Sequence, residues 1–197
     1  QMKIAKVLPL FKAGDSMRFS NYRPVSILPI FLKILERIMY MNERLLDSLD
    51  KLNILNNYQF GFRKNHSAAM ALMYLIDNMS KAVEKGEYVI GLFLDFSKAF
   101  DTVNIEILLS KLSHYGVRGP MLDWFKSYLT DRLQYVTYNG FISSKKTVVC
   151  GVPQGSILGP LLFLLYVNYI AGVSELIFNI MFADDTNMFM PGYDSDT

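Results

Sequence analysis

NIMFADDTNMFM, residues 179–190, sets two adjacent carboxylates, Asp184 and Asp185, among Ile, Met, Phe and Ala. Charged side chains are almost never buried unless they are paired or bind a metal. Residues 176–190 read as strand, tight turn, strand, which puts the acidic pair at a hairpin tip. Two readings are open there: a plain surface turn, or a ligand set held rigid by apolar strands.

Moving outward, YVIGLFLDF at residues 88–96 is β-rich and apolar on both faces, the pattern of a buried central strand. Asp95 closes it. If this strand and the hairpin are neighbours in one sheet, three carboxylates converge at one edge. Such a cluster repels itself and its pKa values rise. A divalent cation relieves the repulsion, and hard oxygen ligands suit Mg²⁺. Two ions ~3.5–4 Å apart can clamp the attacking and leaving oxygens of an in-line phosphoryl displacement.

GVPQGSILGP, residues 151–160, is the next chemically informative stretch. Gly151 and Gly155 bracket Pro153-Gln154, so backbone can come close to a ligand. The Gln154 amide can hydrogen-bond a base or sugar. The stretch lacks the Lys-Ser/Thr ending of a phosphate-binding P-loop. An ordinary entry into the apolar helix from Leu161 is the other reading.

The remaining elements follow from periodicity and punctuation. Residues 26–49 carry apolar side chains at helical spacing with charges between them. Residues 66–86 predict a second helix, capped by Ser67 and ended by Gly86. Residues 105–116 and 120–131 predict two more, with Asp101 as a cap for the first. RLQYVTYNG and SSKKTVVCG predict a hairpin turning near Asn139-Gly140. The order of helices and strands suggests an α+β domain with a mostly antiparallel sheet covered by helices on one face.

Composition excludes several classes. The 197 residues are 51% hydrophobic and 19% charged, enough for a core and against disorder. One cysteine, Cys150, rules out an intrachain disulfide and fits a reducing compartment. The start, QMKIAKVLPLFKAGD, carries charges throughout and no signal-peptide pattern. Residues 157–167 are the most membrane-like, but they fall short of the ~20 a spanning helix needs and contain Gly-Pro. They read as a core helix. The net charge is +2, unevenly spread: residues 1–94 hold 13 Lys and Arg against 8 Asp and Glu, residues 95–197 hold 7 against 10. A basic first half suits polyanions and an acidic second half suits cations.

LDFSKAFD (94–101), GVPQGSILGP (151–160) and FADD (182–185), in this order, resemble motifs A, B and C of reverse transcriptases, closest to non-long-terminal-repeat retrotransposons of the long-interspersed-element type. NYRPVSILP (21–29) and YQFGFRKNHS (58–67) resemble that family's fingers motifs. The resemblance implies a right-hand polymerase fold, with residues 1–87 as partial fingers and 88–197 as a partial palm through motif C. The family's primer grip and thumb are unmatched, so the chain reads as a fragment that is inactive on its own.

By the same resemblance, Asp95 and Asp184 are the principal metal ligands, Asp185 lies beside them, and the Phe96 carbonyl adds a contact. Phe100 matches the aromatic gate that crowds the 2′ position of an incoming nucleotide. Without the resemblance, core packing is the reading for Phe100. Gln154 and Gly155 line the nucleotide and template pocket. Arg23, Lys33 and Arg63 match triphosphate or template contacts, with solvated surface charge as the alternative. The implied activity is RNA-directed DNA polymerisation: a DNA primer, an RNA template, dNTP and two Mg²⁺ ions, with Mn²⁺ as a substitute. The implied site of action is nuclear or cytoplasmic, away from membranes. An RNA-dependent RNA polymerase is disfavoured by Phe100, since such enzymes accept the 2′-OH. A group II intron enzyme and an inactive or co-opted nucleic-acid-binding fragment are the remaining alternatives. His66 and His114 lack partners at metal-ligand spacing, Trp124 reads as core, and Cys150 has no His-based nucleophile arrangement.

Overall fold

The computed structural model describes residues 2–40, 54–172, 174 and 176–192. In chain order the elements are β1 (Ile4–Phe11), β2 (Tyr22–Ile27), α1 (Ile30–Tyr40), α2 (Ala68–Glu84), β3 (Tyr88–Asp95), α3 (Ile105–His114), α4 (Pro120–Leu129), β4 (Arg132–Tyr138), β5 (Phe141–Ile142), β6 (Lys146–Val148), α5 (Gly159–Val167), β7 (Phe178–Phe182) and β8 (Asp185–Gly192). They divide between two compact units, each assembled from two separated segments. Unit 1 comprises Gln1–Leu52 and Phe100–Phe163; unit 2 comprises Asn53–Ala99 and Leu164–Thr197.

Local chemistry fixes the helix starts. Ser67 accepts a hydrogen bond from the Met70 N–H at 3.2 Å and caps α2, as expected. Asn104, not Asp101, caps α3: its side chain accepts from the Ile107 N–H at 3.1 Å. Asp101 lies in a 3-10 turn, Ala99–Thr102, too far upstream to reach the orphan N–H groups. The helix expected over 26–49 begins at Ile30. Ser26 and Ile27 pair with Val7 and Lys6 in β2, and Pro29 stands between strand and helix. Residues 41–49 of that expectation lie outside the described residues.

Unit 1 holds a sheet in the order β2-β1-β4-β5, with β6 also on β4. β1 runs antiparallel to β2 and parallel to β4. The hairpin expected near Asn139-Gly140 is present: both residues have positive φ (47° and 83°), as a two-residue primed turn requires. α3 and α4 pack together, and Leu108, Leu112, Phe125 and Leu129 are at most 1% exposed. Burying such side chains stabilises by about 1.5–3 kcal/mol each. Trp124 is half-buried rather than core, stacked on Tyr128 at 5.2 Å between ring centroids.

Unit 2 holds the antiparallel sheet β3-β8-β7 with α2 packed against β3 and β7. Its core is Phe60, Ala71, Ile180 and Phe189, joined by Tyr74, Leu75, Val89 and Phe178. β3 is an edge strand here, not the central strand expected. Tyr88, Ile90 and Leu92, on the face opposite Val89, are 70%, 65% and 53% exposed. An apolar run without alternation implies cover on both faces; among the described residues α2 covers only one.

The core-helix reading of residues 157–167 holds. Leu161 to Leu165 in α5 are all buried. Among the described residues no helix is long and apolar enough to cross a membrane.

Candidate active site

β3 and β8 stay in register along their whole length, from Tyr88 opposite Gly192 to Asp95 opposite Asp185. Directly opposed residues of an antiparallel pair project from the same face, with Cα atoms about 4.5–5.5 Å apart. The two carboxylates therefore continue, on one face, the row begun by Phe93, Asn187 and Phe189. Asp95 and Asp185 are both exposed and line an open cavity of about 440 Å³ with Ala68, Phe93, Leu94, Phe182 and Asn187.

Phe182 pairs with Asp185, which leaves Ala183-Asp184 as a two-residue turn. Asp184 is half-buried in that turn. The sequence predicts three converging carboxylates. Two are brought into register, and among the described residues no group of three or more His, Cys, Asp or Glu is set to hold a metal. Asp185 starts the strand and takes the paired position, while Asp184 makes the turn. Phe96 directly follows the end of β3.

Like charges directly opposite each other in a sheet are destabilising. A hard divalent cation removes that penalty, and an exposed all-oxygen pair is open to one. The donor chemistry is that of a hard divalent cation.

The turn is strained and externally held. Ala183 has φ of 60°, a conformation that favours glycine and costs other residues about 1–2 kcal/mol. Buried Gln59 meets it on both sides: its Oε1 accepts from the Ala183 N–H at 3.0 Å and its Nε2 donates to the Ala183 carbonyl at 3.2 Å.

The glycine-rich loop lies in unit 1. The Gly151 N–H donates to the Val103 carbonyl at 2.7 Å and the Val152 N–H to the Phe100 carbonyl at 2.8 Å. The Gln154 carbonyl accepts from the Ser26 N–H at 2.7 Å. A Cβ on Gly155 would sit 2.9 Å from the Ser26 carbonyl oxygen, and its φ is 104°, so only glycine fits. The structure thus brings Gln154 and Gly155 beside the end of β2, and Phe100 beside the start of the same loop. The Phe100 ring stacks on Phe163 at 4.6 Å. Arg23 is exposed on β2 opposite Leu10, and Lys33 is half-buried on α1. Arg63 belongs to unit 2, where its Nη1 donates to the carbonyls of Asn56 (2.8 Å) and Gln59 (3.4 Å).

Two residues, one inside a quoted motif and one outside them all, are not singled out by the sequence. Gln59 is one. Glu36 is the other: it is fully buried, accepting from the Tyr128 hydroxyl at 2.7 Å and from the Ile157 N–H at 2.8 Å. Burial, then the Glu36 charge and hydrogen bond, push the Tyr128 hydroxyl pKa up. Arg132, 2% exposed, lies over the Tyr128 ring at 5.1 Å, and burial lowers its pKa against the opposing pull of Tyr128 and Glu36. The signal for Glu36 is a charge on an apolar helix stripe, one turn after buried Leu32; for Gln59 it is a polar residue between Tyr58 and Phe60.

Comparison with known proteins follows the same lines. The family model described as reverse transcriptase (RNA-dependent DNA polymerase) matches residues 12–196. The chain is 36% identical over 168 residues to the RNA-directed DNA polymerase from mobile element jockey of Drosophila melanogaster, covering 84% of this chain and 18% of that protein. It is 33% identical over 187 residues to the Pol polyprotein of the type-1 retrotransposable element R1 of Bradysia coprophila, covering 93% and 18%. The chain thus spans about a fifth of the length of these relatives. Among solved structures, telomerase from Candida albicans with a fragment of telomeric RNA shares the fold at a TM-score of 0.69 and 13% identity, over 100% of this chain and 38% of that one. Apo telomerase from Candida tropicalis, truncated of its C-terminal domain, aligns at 0.66 and 14% identity, over 99% and 44%.

Proposed function

Because the chain belongs to the reverse transcriptase (RNA-dependent DNA polymerase) family, we propose that it carries the catalytic carboxylates of an RNA-directed DNA polymerase of a non-long-terminal-repeat retrotransposon. The observation that supports this best is the cross-strand register of Asp95 with Asp185 at the open end of a mostly apolar sheet.

In the proposed reaction the 3′-OH of a DNA primer, paired to an RNA template, attacks the α-phosphate of a dNTP and pyrophosphate leaves. Asp95, Asp184, Asp185 and the carbonyl of Phe96 would hold two divalent cations, Mg²⁺ or Mn²⁺. Bound there, such ions neutralise the charge that builds on the attacking and leaving oxygens. The chain's own part is positioning. The β3–β8 register fixes where Asp95 and Asp185 present their oxygens. Phe100, braced by Phe163, presents a flat ring that crowds a ribose 2′-OH. Gln154 and Gly155 offer a side-chain amide and a bare backbone to the nascent base pair. Exposed Arg23, together with Lys33 and Arg63, supplies cationic contacts to phosphates. We assign residues 1–87 to the fingers and residues 88–197 to the palm, working on nucleic acid in the nucleus or cytoplasm.

The test is primer extension on an RNA template with dNTPs and Mg²⁺, using an active polymerase that contains this chain. Asp95→Ala and Asp185→Ala should each abolish extension while leaving the protein folded. Full activity in either variant would overturn the assignment.

A further inference from the structure

We propose that Gln59 is a positioning residue that clamps the Ala183-Asp184 turn and thereby sets the carboxylates of Asp184 and Asp185. The inference rests on the active-site reading above and deepens it.

Gln59 is 2% exposed. Its Oε1 accepts from two N–H groups, Gly61 at 2.8 Å and Ala183 at 3.0 Å, and its Nε2 donates to the Ala183 carbonyl at 3.2 Å. Two donors on one side and a carbonyl on the other fix the amide in one orientation, since a flipped amide would point N–H at N–H. Both backbone groups of a single turn residue are thus bound by one side chain.

The backbone around Gln59 is fixed to the same hairpin. The Met181 N–H donates to the Tyr58 carbonyl and the Phe60 N–H to the Met181 carbonyl, both at 2.8 Å, so residues 58–60 run as a short parallel partner of β7. A Cβ on Gly61 would lie 2.2 Å from the Ala183 nitrogen, so the two chains touch backbone to backbone.

Ala183 is where a clamp is needed. It is the residue of the turn with positive φ, 60°, without being glycine. A strained conformation of this kind persists only where its surroundings over-determine it. Released, Ala183 would relax toward negative φ, and the adjoining Asp184 and Asp185 would turn with it. Residues that orient ligands from behind commonly change metal affinity or activity by ~10–100-fold when removed.

The test combines Gln59→Met, which keeps the length and removes all three hydrogen bonds, with Ala183→Gly, which makes the turn conformation intrinsically accessible. In an active polymerase containing this chain, Gln59→Met should lower kcat by ~10–100-fold with the KM for dNTP little changed. Mn²⁺ affinity, read directly by electron paramagnetic resonance titration, should fall over the same range. Adding Ala183→Gly to Gln59→Met should restore much of both, because glycine needs no clamp at that φ. If Gln59→Met does not fold, Gln59→Asn, with the same amide on a shorter stem, is read in the same three ways. Unchanged kcat and Mn²⁺ affinity in the Gln59 variant overturn the proposal, as does a loss that Ala183→Gly leaves unrecovered. Asp95→Ala in parallel separates the two levels: if it stays active, the active-site reading fails; if only the Gln59 variants are silent, the clamp alone fails.

Discussion

Glu36 and Tyr128, 92 positions apart in the sequence, share a 2.7 Å hydrogen bond in the interior of unit 1. The second oxygen of Glu36 takes the Ile157 N–H. One carboxylate thus ties α1 to α4 and to the loop that carries Gln154 and Gly155.

Glu36→Gln should expose how much that tie matters. A glutamine has one acceptor oxygen, so either the Tyr128 hydroxyl or the Ile157 N–H would face an amide NH₂. A buried donor left unsatisfied costs about 1–3 kcal/mol. Urea unfolding should show a loss of that size, and a change below ~0.5 kcal/mol would count against the tie.

Alkaline pH should act through the same group. The folded state raises the pKa of Tyr128, chiefly by burial. The folded protein therefore holds the phenolic proton more tightly than the unfolded chain, whose tyrosines titrate near pH ~10. The associated stability is complete below that pH and is lost as pH rises above it. Tyr128→Phe should flatten the decline in thermal stability above pH ~10; an identical decline in both proteins would show that Tyr128 is not its source.

Asp95→Asn should have opposite effects with and without metal. Without metal it removes a like-charge pair in direct register and should stabilise the chain by up to about 1 kcal/mol. With Mg²⁺ the wild type should gain thermal stability, because a ligand that binds only the folded state shifts unfolding. The variant should not. A variant with the full Mg²⁺ shift would place the cation elsewhere.

Phe100→Val should separate gate from core. The ring stacks on Phe163, so the variant should lose stability, the aromatic contact alone contributing about 0.5–1.5 kcal/mol. If Phe100 also crowds the 2′ position, ribonucleotide incorporation should rise while dNTP use persists. Lowered stability with unchanged sugar preference in single-nucleotide extension leaves it a packing residue only.

The chemistry-bearing motifs were legible because their residue types are costly anywhere else. Asp95 and Asp185 sit at the ends of apolar strands with Asp184 in the turn beside them, and Gly155 occupies a position where a Cβ would strike the Ser26 carbonyl. Register was not legible. Nothing in the order of Asp184 and Asp185 says which takes the paired position and which makes the turn. The edge placement of β3 was hidden for a similar reason: composition reports how apolar a strand is, but cover comes from other elements. Glu36 and Gln59 are not legible because the partners that give them a role are far away in the sequence. Their partners, Tyr128 and Ala183, lie 92 and 124 positions away.

The interleaving of the two units has a consequence for synthesis on the ribosome. Asp95 emerges 90 residues before the Asp185 it faces, which at ~5–20 residues/s is a wait of roughly 5–20 s. Throughout it, β3 lacks its β8 partner and Val89 lacks the Ile180 and Phe189 of the core it joins. Unpaired apolar strands are what chaperones shield, so translation speed between residues 95 and 185 should govern how much of this chain folds and how much aggregates.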